Sequence, residues 1–114
     1  MPYIHAKVST SLGEREEKTL KTELGKAIRI IPGKSEQWLM TAFEGDQHMY
    51  FRGDNARPCA FVEVLLYGGE NAAAFDKMTG EITRIFSETL GIEPDHIYVA
   101  YQTTGNWGWN GGNF

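Results

Sequence analysis

Residues 58–69, PCAFVEVLLYGG, decide the architecture. Ala60, Val62, Val64 and Leu66 alternate with Phe61, Leu65 and Tyr67, so the segment reads as a β-strand that is apolar on both faces and must be covered on both. It opens on a proline, and so does the first strand-like run of the chain, MPYIHAKV at residues 1–8, where Ile4, Ala6 and Val8 alternate with Tyr3, His5 and Lys7. Aligning Pro2 on Pro58 sets Ala6 on Val62, Lys7 on Glu63 and Val8 on Val64, a weak but in-register internal repeat.

The segments that follow each strand repeat as well. Over residues 14–31 the apolar positions Leu20, Leu24, Ala27, Ile28 and Ile31 recur at helical spacing, with Glu14, Glu16 and Glu17 near the positive end of the helix dipole and Pro32-Gly33 as the stop. Residues 37–43 (QWLMTAF) read as a second strand, residues 44–46 as a turn and residues 48–51 as a short extra strand. Residues 71–90 carry a second helical stripe of Phe75, Met78, Ile82, Ile85, Phe86 and Leu90, ended by Gly91, and residues 96–102 (HIYVAYQ) return as a strand. The expected fold is α+β: two tandem βαβ units forming a four-stranded mixed sheet, with short extra strands. Right-handed crossovers would put both helices on one face. No residues remain to cover the second face, so another copy of the chain is the expected cover. The tail NWGWNGGNF, residues 106–114, cannot build a core alone and reads as a strand or hook that docks on a neighbour.

At 114 residues the chain is expected to be one domain, 1–114, burying roughly 65% of the surface its unfolded form exposes. No apolar run approaches the ~18 residues that span a bilayer, and the strand-like start has no basic segment followed by an apolar stretch. A cytoplasmic address is therefore expected, although unconventional secretion would leave the same sequence. The net charge of −4, with basic residues spread along the chain, argues against a nucleic-acid partner. The single cysteine, Cys59, excludes an internal disulfide and reads as a small core hydrophobe. His5, His48 and His96 lie in separate segments without metal-ligand spacing, so neither metal nor cofactor is expected. Gly68-Gly69 is a turn rather than a phosphate cradle, and Lys7 and Glu63, equivalent in the repeat, are expected to pair across adjacent strands.

Pro2 is where chemistry could lie. In an intact Met1-Pro2 bond its nitrogen is an amide, whereas removal of Met1, which proline in second place usually permits, would leave a secondary amine able to act as a base. Together with Pro2, the Gly33-Lys34 pair, Pro58-Cys59-Ala60, the Pro94-Asp95-x-x-Tyr98 approach to the last long strand and the ending Gly108-Trp109-Asn110-x-x-x-Phe114 resemble the macrophage migration inhibitory factor (MIF) family of the tautomerase superfamily, along the full length of the chain.

That resemblance implies a homotrimer with three active sites at subunit interfaces and keto-enol tautomerase activity on small, phenylpyruvate-like α-keto acids. It implies Pro2 as general base, Lys34 meeting the substrate carboxylate, the Tyr67 backbone N–H contacting substrate, and Tyr98 contributed by the neighbouring subunit. Without the resemblance, Lys34 reads as a solvated loop lysine and Tyr98 as a sheet aromatic. Two departures stand out: Ala100 replaces a common pocket asparagine, and residues 59–62 (CAFV) lack the Cys-x-x-Cys of the mammalian cytokine members. The alternative expectation is a non-catalytic, cytokine-like binding or signalling trimer with a vestigial pocket and an unidentified protein receptor. A related reaction from the same proline, such as decarboxylation or hydration, would require a second cation or carboxylate converging on it.

Overall fold

Proline at the head of the first strand sets how the sheet begins. A computed structural model of the chain describes Met1–Phe114. Strand β1 (Pro2–Val8) runs parallel to β2 (Met40–Glu44) and antiparallel to β3 (Ala60–Tyr67), and β3 runs parallel to β4 (Ile97–Thr104), giving the order β2-β1-β3-β4. Helices α1 (Glu14–Ala27) and α2 (Ala72–Leu90) complete the two βαβ units. A small hairpin, β5 (Gly108–Trp109) with β6 (Gly112–Asn113), closes the chain.

The core lies between the helices and one sheet face. Ile4, Ala6 and Val8 of β1 and Val62, Val64 and Leu66 of β3 pack against Leu20 and Leu24 of α1 and Met78, Ile82 and Phe86 of α2. Asn71 caps α2, its side chain accepting from the Ala74 N–H at 3.1 Å, and Gly91 ends it in the left-handed region at φ 70°. The opposite sheet face is open. Tyr3, Phe61 and Leu65 are only partly covered there, while Met40 and Tyr98 are well exposed.

Four boundaries differ from the sequence-based expectation. Helix α1 stops at Ala27 and tightens into a 3-10 turn, Ile28–Ile30, because Pro32 pushes Ile31 into extended backbone. Residues Glu36–Trp38 form a 3-10 turn rather than strand, and β2 starts at Met40, opposite Tyr3. Pro2, without an N–H, offers no donor to extend that ladder. Residues 48–51 form no strand; Phe51 pairs only with Asp54 across a turn in which Arg52 and Gly53 have φ 54° and 81°. The last strand starts at Ile97, after a 3-10 turn, Pro94–His96, and runs to Thr104.

The expected Lys7–Glu63 pair is also replaced. Strands β1 and β3 are antiparallel, so of the residues equivalent in the repeat only Ala6 and Val62 face each other, and positions on either side of them diverge. His5 therefore sits opposite Glu63 and Lys7 opposite Phe61, while the His5 ring meets Glu44 on β2. The tail hairpin lies on its own chain, with Trp109 against Trp38 and Phe114 against Tyr67, both tail aromatics keeping about half their surface exposed.

Candidate active site

Three of the four expected site residues meet where β1 begins and β3 ends. Pro2 is buried opposite Leu66, so the chain start is held beside the last residues of β3. The Tyr67 N–H donates to the Met1 carbonyl at 3.1 Å. Lys34 arrives from the loop after α1. Pro32 and Gly33 make the central pair of a turn closed by the Lys34 N–H donating to Ile31 O at 3.1 Å, and Gly33 supplies the φ of 80° which that turn requires. The half-buried Lys34 ammonium then donates to the Tyr67 carbonyl at 2.7 Å. Both backbone groups of Tyr67 are thus engaged, one by Met1 and one by Lys34.

The electrostatics of this corner act on the α-amino group. Burial, then the positive charge of Lys34, then a hydrogen bond with Lys34, hold the Met1 amine below its ordinary value of 8.0. An amine here is therefore a free base at lower pH than in water. Beside it opens a cavity of about 350 Å³ lined by Ile31, Lys34, Tyr67, Asn71 and Phe75. Phe75 stacks on Tyr101 at 4.5 Å, and the Tyr101 hydroxyl donates to the Phe75 carbonyl at 3.0 Å, which fixes that wall. Burial raises the Tyr101 phenol, making it a poor acid.

Aromatic rings extend the site beyond the four expected residues. Phe114 meets the Tyr67 ring at 5.2 Å and Trp109 meets Trp38 at 5.3 Å, so the tail lays two rings near the Lys34 loop and the end of β3. Trp38 and Phe75 had no local signal beyond apolarity, since Trp38 meets Trp109 only through the tail folding back, and Phe75 meets Tyr101 only through the packing of α2 on β4.

Tyr98 does not join this pocket within one chain. It pairs with Phe61, six residues before Tyr67, and at ~3.3 Å per residue that is roughly 20 Å along the strand. It stands on the open face, as does Ala100, the cross-strand partner of Glu63. Ala100, Glu63, Tyr3 and Leu65 border a shallow, mostly apolar hollow of about 270 Å³.

Glu93, Asp95 and His96 offer three ligand atoms in one cluster, but their charges are already matched. Arg57 donates to both oxygens of Glu93 at 2.8 Å; Asp95 meets the His96 ring at 2.7 Å and Arg52 at 3.6 Å. The hydrogen bond from His96 holds the Asp95 carboxyl below its usual range. Cys59 is buried at the head of β3, with its N–H donating to the Ser9 hydroxyl at 2.9 Å.

Two βαβ units sharing one mixed sheet, with the buried first residue of β1 next to the Lys34–Tyr67 corner at the sheet's end, define the tautomerase-superfamily fold. The family model described as macrophage migration inhibitory factor (MIF) matches residues 1–114, and the chain belongs to that family. MIF2 of Leishmania major is 34% identical, with a TM-score of 0.92 over 100% of this chain and 97% of that one. A macrophage migration inhibitory factor homologue from Prochlorococcus marinus is 26% identical, with a TM-score of 0.82 over 98% of each chain. The fold is shared by Pt0534, solved inactivated by 2-oxo-3-pentynoate, at 17% identity and a TM-score of 0.84 over 96% of this chain and 93% of that one. No curated protein matches the chain.

Proposed function

We propose that this protein is a keto-enol tautomerase of small α-keto acids of the phenylpyruvate type, acting as a homotrimer once Met1 has been removed. The observation that carries the proposal is the double role of Met1. Its carbonyl occupies the Tyr67 N–H, and its peptide bond makes Pro2 an amide. Removing one residue therefore releases a secondary amine and an oriented backbone donor in the same place.

The chemistry follows from what then remains. The Pro2 amine lies beside a cation in a desolvated corner that already depresses the amine one residue ahead of it, so the same causes lower its pKa and enlarge its free-base fraction. It takes a proton from the carbon next to the keto group, the electron pair of that C–H bond forms the enol double bond, and the keto oxygen takes a proton from solvent. The protonated Pro2 amine returns its proton to solvent, so that no net proton is gained or lost. Lys34 pairs with the substrate carboxylate, exchanging its bond to the Tyr67 carbonyl for a charged partner. The Tyr67 N–H donates to a substrate oxygen in place of the Met1 carbonyl. The rings of Phe114, Trp109 and Phe75 suit an aromatic substituent.

The open sheet face supports the trimer, since Tyr3, Met40, Phe61, Leu65 and Tyr98 would otherwise leave a broad apolar surface in water. A neighbouring copy seated there would bring Tyr98 to a pocket that one chain leaves without it. The inactivation of a protein of the same fold by a small 2-oxo compound agrees with the substrate class. The test is intact mass of protein from its native source, followed on the same sample by phenylpyruvate enolisation with a Pro2→Gly control. Loss of Met1 with activity that the control abolishes is the expected result. Retained Met1, or a processed chain without activity, would favour a non-catalytic, cytokine-like binding trimer instead.

A further inference from the structure

We propose that Phe51, on the loop between β2 and β3, is a positioning residue that fixes the ring of Tyr98; its consequence for catalysis rests on the role given to Tyr98 above. Strand β4 is an edge strand, so Tyr98 has a sheet neighbour on one side only, the Phe61 ring of β3, at 6.2 Å and 83°. The Tyr98 side chain is otherwise 57% exposed. Within one chain, before a neighbouring copy covers that face, a ring held by one edge contact samples several rotamers and must be oriented from its own subunit. Phe51 supplies the second contact, edge-on at 5.2 Å and 84°, within the range where aromatic pairs attract.

Phe51 can restrain Tyr98 only if it is itself restrained, and the loop meets that requirement at several points. At its start the Asp46 and Gln47 N–H groups donate to Thr10 O at 2.8 Å and Val8 O at 3.1 Å. At its centre Phe51 and Asp54 exchange backbone hydrogen bonds of 2.9 and 3.2 Å around the Arg52-Gly53 turn. Towards its end Arg57 grips Glu93 through both carboxylate oxygens. Phe51 additionally lies 5.0 Å from the buried His96 ring, two residues before Tyr98, and the Arg52 guanidinium stands 5.1 Å over the Phe51 ring while meeting Asp95. Loop and strand start are therefore fastened together by two arginine–carboxylate pairs and one aromatic contact, and Phe51 links that assembly to Tyr98. A loop of this length earns its ordered backbone by what it holds in place.

The experiment is a double-mutant cycle on the processed protein. Phe51→Leu keeps apolar bulk but removes the ring edge, and should lower kcat/KM for phenylpyruvate about tenfold, mainly through KM, with Phe51→Tyr restoring it. In a Tyr98→Ala background the same Phe51→Leu change should have no further effect, because a positioning residue acts only through what it positions. Additive losses would overturn the proposal. An activity-independent readout accompanies the cycle: the ring resonances of Tyr98, assigned by NMR, should move toward those of a free tyrosine in Phe51→Leu, and unchanged resonances would also overturn it. Where Phe51→Leu fails to fold, Arg57→Gln, which releases the loop from Glu93 at an exposed ion pair, should move the Tyr98 resonances in the same direction, and their failure to move refutes the idea. A wild-type chain that never enolises phenylpyruvate would sink the tautomerase reading alone, while the resonances still decide whether Phe51 holds Tyr98.

Discussion

Replacing Lys34 with methionine separates two jobs that the structure gives to one side chain. As a cation aimed at the pocket, Lys34 should anchor a substrate carboxylate through a charge-assisted hydrogen bond, a contact worth about 1.5–3 kcal/mol. At about 1.4 kcal/mol per decade, its loss should lower kcat/KM roughly 10- to 150-fold, chiefly as a rise in KM. As a neighbour of the α-amine, Lys34 supplies the second and third causes of the lowered amine pKa, behind burial. The Met1 amine is lowered directly; a Pro2 amine freed beside the same cation should be lowered by the same causes, so its free base, and with it kcat/KM, should appear at lower pH than for a proline amine in water. Without Lys34 that rising limb should shift to higher pH, yet stay below the ordinary value, because burial is the largest cause and remains. The assay is the ultraviolet absorbance of phenylpyruvate enolisation between about pH 5 and 9, with the amine titrated independently by NMR in the unprocessed chain. A limb that does not move, or one that moves fully to the ordinary amine value, would refute the account of how this corner tunes its base.

Three further outcomes are expected. Ile82→Ala, at a fully buried position of α2, should destabilise the protein by roughly 2–5 kcal/mol, read as a lower urea midpoint with unchanged slope. Gly33→Ala should cost about 1 kcal/mol from backbone strain alone, since φ is 80° and a Cβ there meets nothing within 4 Å; the added KM effect of a displaced Lys34 would show in the enolisation assay. Leu65→Asp, on the open face, should leave the single-chain fold intact by circular dichroism but yield monomers by sedimentation; a stable trimer in that variant would mean copies associate through another surface.

The two-sided apolarity of residues 60–67 and the helical stripes around Leu24 and Ile82 were legible because burial on a sheet or helix imposes a period on the sequence, and both segments carry it. Element ends were less legible. The 3-10 turns at Ile28–Ile30 and Glu36–Trp38 depend on which backbone groups find partners across the sheet, and an apolar run alone carries no such information. The Lys7–Glu63 expectation failed for a similar reason, because an internal repeat records equivalence between strands and not their relative direction.

By itself the sequence determined the element order, the pairing of two βαβ units, the apolar second face and a proline placed where loss of one residue turns an amide into a base. Those follow from local covalent chemistry and from periodicity. Only the tertiary structure decided that the Tyr67 N–H is held by Met1 and its carbonyl by Lys34, and that Phe114 folds back over the same tyrosine while Tyr98 stands at the far end of the sheet. Those contacts join residues more than thirty positions apart, and chain closure over such distances is set by how the whole sheet packs, not by any segment's own preference.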